Sequence, residues 1–357
     1  MIGFYCATPY HLLIAIHLAT TKYKDNKANI ILMNHFSDAE NIANKLKGLD
    51  LFDNVYLLNQ SNKTYLQKIK RLAEFIIPNT QIKKFMQYDY TEMVFFANDF
   101  MNYAYIIKKL SKRKAFTVFS YAEDGIGTYV DKKYEPSKII NKLLLLTNRK
   151  KYLERIKKLY VFRPDLMLEN EWFDIEKLPP IRMQDNLLLS YLSKIWDISD
   201  ANKLDKKVIY FEQPIQNDFH CQQQESENEI LQILKKNIEP EEFVIKLHPR
   251  SSRDITGFKT YFSSIPFECL LVNLEMNNKI LISLMSTAGF SPKILSDEEP
   301  IIILTYELFP EYKKEHSEIC AKIEMFAERI KNNYTSKDRI YIPKNMEEFS
   351  NIIMKLC

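Results

Sequence analysis

Glycine is scarce in this chain: 357 residues hold six, where average usage near ~7% would give about 25. Gly125 and Gly127 fall in Tyr121-Ala122-Glu123-Asp124-Gly125-Ile126-Gly127-Thr128, just past a predicted strand, and Gly289 falls in Ser286-Thr287-Ala288-Gly289, just past another. Three of the six thus sit at two strand-to-helix corners, which points to tight turns there or to close approach of a ligand that a Cβ would obstruct. Cysteine is equally sparse, at 6, 221, 269, 320 and 357. That odd, scattered set has no C-x-x-C spacing, so it argues against a disulfide framework or a zinc knuckle and fits a reducing cytoplasm. Long apolar runs are missing too, since no stretch reaches the ~18 residues of a membrane span. Ile2 to Ala19 comes nearest, but it lacks a basic leader and is broken by Thr8, Pro9, Tyr10 and His11, so it reads as a strand followed by a helix. There is no D-x-D motif and no His or Cys cluster at metal spacing, and neither a metal nor another cofactor is expected.

What remains is an ordinary globular composition, 46% hydrophobic and 27% charged. Single cores usually stop growing near ~250 to 300 residues, so two domains are expected. Net charge is only +4, yet the cations are clumped. Lys108 to Lys114 holds five, and Asn148 to Lys158 holds six: Arg149, Lys150, Lys151, Arg155, Lys157 and Lys158. These are read either as solvated helix faces or as contacts for a lipid-linked acceptor or an inner membrane surface. No recognised nucleic-acid motif accompanies the charge, and nucleic acid is not expected as a partner.

Short β-branched or aromatic runs alternate with helical patterns. Ile2 to Cys6, Ala28 to Met33, Val55 to Leu58, Met93 to Ala97 and Ala115 to Tyr121 read as strands, with helices at His11 to Tyr23, Asp38 to Lys47 and Tyr65 to Phe75 between them. A second series follows the polar segment Ser199 to Lys207, with strands at Val208 to Phe211, Phe243 to Leu247, Ile280 to Ser283 and Ile301 to Leu304. Its helices are expected at Glu225 to Lys236, Pro266 to Leu274, Thr287 to Ser296 and Pro310 to Lys331. The pattern predicts an α/β protein of two doubly wound, Rossmann-like domains, residues 1–198 and 199–357, facing a cleft at the carboxyl ends of their strands.

Three segments at predicted strand ends could carry chemistry. In Glu123-Asp124-Gly125, adjacent carboxylates on an extended turn cannot both enter the core, so at least one should project where it can take a proton from an attacking hydroxyl. In Lys246-Leu247-His248-Pro249-Arg250, the proline restricts His248 to extended backbone and holds its imidazole in place. A held imidazolium can hydrogen-bond a phosphate oxygen or assist a leaving group near neutral pH. Ser283-Leu284-Met285-Ser286-Thr287 puts paired hydroxyls at the start of a predicted helix, suited to a phosphate or to an ordinary N-cap. Each segment alone also has an ordinary structural reading; the three in this order are far more specific.

With these motifs the chain resembles the bacterial sialyltransferases, particularly glycosyltransferase family 52, whose members build lipooligosaccharide and capsule sugars. That family and its relatives, the polysialyltransferases and the marine-type sialyltransferases, share an acidic-acidic-Gly motif, an His-Pro motif and a Ser-Ser/Thr motif on a GT-B fold. Ile265-Pro266-Phe267-Glu268 is similar to a segment of the marine-type enzymes whose glutamate binds the CMP ribose, and Cys6-Ala7-Thr8-Pro9-Tyr10-His11-Leu12-Leu13 looks like a family 52 start. The resemblance implies Asp124 as general base, His248 on the donor phosphate, Glu268 on the ribose, and Ser286 with Thr287 as phosphate hydroxyls. Gly125 and Pro249 are carried over as donor-binding positions within their motifs. Some family 52 relatives place the base soon after the first strand of the second domain; this chain has Glu212-Gln213-Pro214-Ile215 there and only then Asp218, which stands as a rival to Asp124. The implied activity is inverting, metal-independent transfer from CMP-sialic acid to a glycan hydroxyl, by a cytoplasmic protein that contacts the membrane at most peripherally. A homodimer is compatible with the same relatives. Transfer of another group on this fold, by a family 52 hexosyltransferase or a CDP-glycerol glycerophosphotransferase, is the rival enzymatic reading, and a non-catalytic glycan- or membrane-binding protein is the other.

Overall fold

The computed structural model describes residues 1–36, 38–59, 79–96, 99–131, 134–182, 185–213, 221–248, 251 and 255–357. The chain divides into two compact units, Met1–Ile181 with Asp185–Asp197, and a second that takes up Ile198–Cys357.

Among the described residues, the first unit holds seven strands: β1 (Ile2–Cys6), β2 (Ala28–Met33), β3 (Asn54–Leu58), β4 (Glu92–Phe95), β5 (Val118–Ala122), β6 (Lys158–Val161) and β7 (Asp174–Lys177). They pair in parallel in the order β3-β2-β1-β4-β5-β6-β7. β1 and β2 are buried along their whole length, as a sheet covered on both faces requires. The edge strand β7, Asp-Ile-Glu-Lys, keeps charge outward, which discourages further pairing. Chain order reverses between β1 and β4, and the crevice at such a switch point is where ligands of these folds bind.

The helix after β1, Pro9–Thr20, is apolar all round and buried from His11 to Ala19, which makes it a core helix. Its start is set by Thr8, whose hydroxyl accepts the His11 N–H at 3.2 Å, and by Pro9 in the first turn. Gly3 on β1 is required by packing, because a Cβ there would run into the Met93 sulfur and the rings of Phe85 and Tyr90.

The second unit holds β8 (Val208–Phe211), β9 (Phe243–Lys246), β10 (Thr260–Tyr261), β11 (Ile280–Ser283), β12 (Ile301–Leu304) and β13 (Ile340–Tyr341) among the described residues. All pair in parallel in the order β10-β9-β8-β11-β12-β13, with the reversal between β8 and β11. Several elements differ from the sequence-based expectation. The stretch from Thr287 to Ser296 is a 3-10 turn, Thr287–Phe290, followed by a helix, Ser291–Ser296, with Pro292 in its first turn. The long helix expected from Pro310 is two, Pro310–Glu315 and Ser317–Asn332, and the helix at Phe267–Leu271 is shorter than expected. The helix expected over Tyr65 to Phe75 lies outside the described residues. Cys6, Cys269, Cys320 and Cys357 are free thiols, and no described helix is long and apolar enough to cross a membrane.

Candidate active site

In the first unit, the carboxyl ends of β1, β4 and β5 bring together residues from three distant parts of the chain. The two adjacent carboxylates after β5 have separate fates. Glu123 is fully buried and surrounded by donors: Tyr10 Oη at 2.6 Å on one oxygen, and the Phe162 N–H at 2.8 Å and the Tyr129 hydroxyl on the other. Burial pushes its pKa up to about 7, against the pull of those three hydrogen bonds. Asp124 instead keeps a side chain about one-third exposed, 31%. Its backbone N–H donates to Thr128 Oγ1 at 2.8 Å, and Thr128 in turn meets the Tyr134 hydroxyl at 2.5 Å.

Asp124 Oδ1 is hydrogen-bonded to Nε2 of His11, the third residue of the buried helix after β1. The other ring nitrogen, Nδ1, accepts the Ala7 N–H at 3.1 Å, so in the neutral ring the proton sits on Nε2 and points at the carboxylate. The imidazole also lies flat on Phe96, just past β4, with centroids 4.3 Å apart and planes 9° from parallel. A wholly buried histidine therefore spans the switch point and holds the part-exposed carboxylate through its Oδ1. Gly125, next in the chain, has φ +70, a left-handed conformation that turns the loop back toward Thr128. Gly127 has open space where its Cβ would lie, and Gly289 would meet only ordinary contact, so neither is required by packing.

Beside this loop lies a cavity of about 320 Å³. Tyr121, Tyr134, Phe100, Trp172 and Phe173 form much of its wall, with Lys150, Glu135 and Glu154 at polar positions. Tyr134 belongs both to this wall and to the hydrogen bond with Thr128, and so couples the cavity to the Asp124 turn.

In the second unit, His248 follows β9 and is half-buried. Its backbone N–H donates to Glu212 at 2.8 Å, and Ser251 Oγ donates to the other oxygen of the same carboxylate at 2.8 Å. Glu212 itself is buried at the end of the neighbouring strand β8. The carboxylate that sequence reasoning passed over as a base therefore shapes the His248 turn. Asp218, Pro249 and Arg250 lie outside the described residues.

Glu268 opens the Phe267–Leu271 helix and accepts the Ser291 hydroxyl at 3.0 Å. The buried Lys246 feels the Glu268 charge; desolvation holds its pKa below the usual lysine value, and Glu268 opposes that shift. Ser286 accepts the Ala288 N–H at 3.3 Å, the N-cap reading, while Thr287 is exposed. Their turn is anchored by the Ser286 N–H on Ser283 Oγ at 3.2 Å. Among the described residues, Asp124 follows β5, His248 follows β9, and Ser286 with Thr287 follows β11, each at the carboxyl end of a strand. His11, Glu212 and Ser291 were not assigned site roles from the sequence. The signal for His11 was its place in the Cys6 to Leu13 segment that looks like a family 52 start. Among the described residues, no group of three or more His, Cys, Asp or Glu is arranged to hold a metal ion.

Two units of this kind are the GT-B architecture, and solved structures share it. The chain matches an alpha/beta-galactoside alpha-2,3-sialyltransferase from the luminous marine bacterium Photobacterium phosphoreum with TM-score 0.50 and 14% identity, over 96% of this chain and 98% of that one. LpCGTa, solved with UDP, matches with TM-score 0.52 and 8% identity over 100% and 90%. The glycotransferase of kitacinnamycin matches with TM-score 0.50 and 7% identity over 99% and 90%. No curated protein sequence matches the chain. A family model described as alpha-2,8-polysialyltransferase matches residues 4–305, which span the Asp124 and His248 motifs together with Glu268, Ser286 and Thr287. The chain belongs to the alpha-2,8-polysialyltransferase family and is a sialyltransferase on a GT-B fold.

Proposed function

We propose that this protein transfers sialic acid from CMP-sialic acid to a sugar hydroxyl of a bacterial surface glycan, of the lipooligosaccharide or capsule type that family 52 enzymes build, by inverting single displacement without a metal. The observation that carries the reading is the Asp124 carboxylate, reachable by substrate and held by a buried histidine whose tautomer is set by the backbone. The acceptor hydroxyl attacks the anomeric carbon as Asp124 takes its proton, and the bond from that carbon to the CMP phosphate oxygen breaks. The departing CMP carries one phosphate charge into the leaving step. His248, with the hydroxyls of Ser286 and Thr287, stabilises it, and Glu268 holds the ribose. Gly125 and Pro249 act as donor-binding positions through their motifs. The aromatic cavity beside Tyr134 suits the flat apolar faces of acceptor sugars.

In this reading residues 1–198 serve the acceptor and residues 199–357 the donor. The enzyme works in the cytoplasm on an acceptor that can be lipid-linked, with peripheral contact to the inner membrane through its basic stretches. Asp218 is the rival base, and a homodimer the assembly to test.

The deciding experiment incubates the full chain with CMP-sialic acid and a panel of galactosides and sialylated galactosides, read by mass spectrometry. A product heavier by one sialic acid is expected, and a ladder of such increments on the sialylated acceptors would identify a polymerising enzyme. Thermal shift with CMP-sialic acid, UDP-sugars and CDP-glycerol runs beside it. Stabilisation and turnover with one of the other donors, and none with CMP-sialic acid, would overturn the donor assignment in favour of a hexosyl- or glycerophosphotransferase. Absence of donor hydrolysis and of transfer with every donor would leave a non-catalytic binding protein.

A further inference from the structure

The helix Lys138–Leu146 reads Lys-Ile-Ile-Asn-Lys-Leu-Leu-Leu-Leu, and of its six aliphatic side chains only Leu144 is buried. Ile139 and Leu146 are each 75% exposed, and Leu145 is 57% exposed. Positions three and four apart share a helix face, so Ile139, Lys142, Leu145 and Leu146 form one outward row. A helix on a globular domain normally turns such a row to the core; this one turns it to the surface.

Charge on the same part of the chain is almost all positive. From Lys138 to Lys158 there are eight cations, at 138, 142, 149, 150, 151, 155, 157 and 158, against the single acid Glu154, whereas the whole chain is nearly balanced at 50 against 46. The second lysine run joins this surface. The helix Phe100–Leu110 packs on both Lys138–Leu146 and Lys150–Leu153, and Lys108 Nζ lies 5.9 Å over the Tyr152 ring. Lys109, Lys112 and Lys114 are exposed beyond it, followed by Phe116 at 85% exposure.

We infer that this face docks on an anionic lipid bilayer, with Ile139, Leu145 and Leu146 entering the boundary between headgroups and acyl chains and the surrounding lysines on headgroup phosphates. Flexible aliphatic tips among cations of one sign fit a fluid surface of diffuse negative charge, the pattern of an interfacial helix with a polybasic flank. A protein partner would be expected to meet a face depleted of lysine, whereas lysines ring this one. The contact is peripheral, since no described helix could cross the membrane. It deepens the membrane contact proposed above by naming the surface, and its test needs neither donor nor acceptor, so the transferase reading can fail without it, and it without that reading.

The test is co-sedimentation of the full chain with vesicles of phosphatidylcholine, with and without phosphatidylglycerol. Binding is expected only with phosphatidylglycerol, weakening as salt rises. Combined Ile139→Ser, Leu145→Ser and Leu146→Ser should lower it about tenfold or more, as should combined Lys142→Glu and Lys151→Glu. Both variants should keep the wild-type melting temperature. Wild-type protein that ignores phosphatidylglycerol, or serine variants that bind as well as wild type, would overturn the inference. So would serine variants that convert a dimer to a monomer in size-exclusion chromatography, since the face would then be a protein interface.

Discussion

His11 and Asp124 stand 113 residues apart in the chain and share one hydrogen bond, whose direction is set by a third group, the backbone N–H of Ala7. Because that N–H occupies Nδ1, only Nε2 can present a proton to the carboxylate. His11 is wholly buried, so in the proposed reaction it would act through Asp124 as a positioning residue. His11→Phe keeps a ring on Phe96 and loses both hydrogen bonds, and should lower kcat by about 10- to 100-fold through a misplaced carboxylate, with KM for the donor unchanged. His11→Gln, which can still donate to Asp124, should recover part of the loss. Equal damage in both variants would reduce His11 to a packing role.

Glu123 gives a stability signature that Asp124 does not. Its folded pKa near 7 lies above the ordinary glutamate value of 4.5. Between those values the unfolded chain has released the proton and the folded one still holds it, so stability falls as pH rises from about 4.5 to about 7 and then levels off. The shift corresponds to roughly 3 kcal/mol. Glu123→Gln removes this titration while keeping hydrogen-bonding groups for Tyr10, Tyr129 and Phe162. In urea unfolding across that window, wild type should lose about 3 kcal/mol relative to Glu123→Gln. Parallel pH profiles would show that the carboxyl is ionised in the folded protein throughout.

Glu212 is expected to act through the turn it holds. Glu212→Ala leaves the His248 N–H without its acceptor, at a cost of about 1 to 3 kcal/mol, and loosens the turn that carries His248. Calorimetry should show weaker CMP binding. Glu212→Gln can still accept from His248 while its amide faces Ser251, whose hydroxyl can accept as well as donate, and it should bind CMP nearly as wild type does. An alanine variant with unchanged stability and CMP affinity would detach Glu212 from the donor site.

His248→Ala should cut turnover by about 10²-fold or more, the usual worth of a positioned acid-base group, and EDTA should leave wild-type activity intact. One leaving phosphate needs one charge neutralised, which an imidazolium and hydroxyls can supply. A variant with a near-normal rate would remove His248 from the mechanism, and a strict divalent-ion requirement would redirect the search to a donor of higher charge.

The core strands were legible because burial on both faces leaves unbroken apolar runs: β1, β2, β8, β11 and β12 occupy the predicted residues. The edge strands β7, β10 and β13 were not, nor was the interior strand β6, which opens on the last lysine of the basic stretch. They are short or charged, and Asp-Ile-Glu-Lys or Thr-Tyr carries no periodic signal in isolation. The Asp124 and His248 motifs could be read locally because a turn, a glycine or a proline marks each strand end. The contact between His11 and Asp124 could not, since nothing near either residue records that β4 alone separates β1 from β5. Nor could the sequence say which of Glu123 and Asp124 points inward; Tyr10, Tyr129 and Phe162 decide it from three separate segments.

The two glycines of the acidic turn separate backbone geometry from empty space. Gly125 has φ +70, where a side-chain-bearing residue costs about 1 to 2 kcal/mol, although nothing lies within 4 Å of a Cβ placed there. Gly127 has equally open surroundings and no left-handed backbone. Gly125→Ala should therefore destabilise the fold by that amount and, by reshaping the turn that carries Asp124, lower kcat. Gly127→Ala should leave the melting temperature nearly unchanged, and any loss of activity it causes would have to come from a substrate that approaches the open space at its Cα. If Gly125→Ala is as stable and active as wild type, the turn tolerates another backbone path, and the fixed geometry assigned to Asp124 would rest on His11 and Thr128 alone.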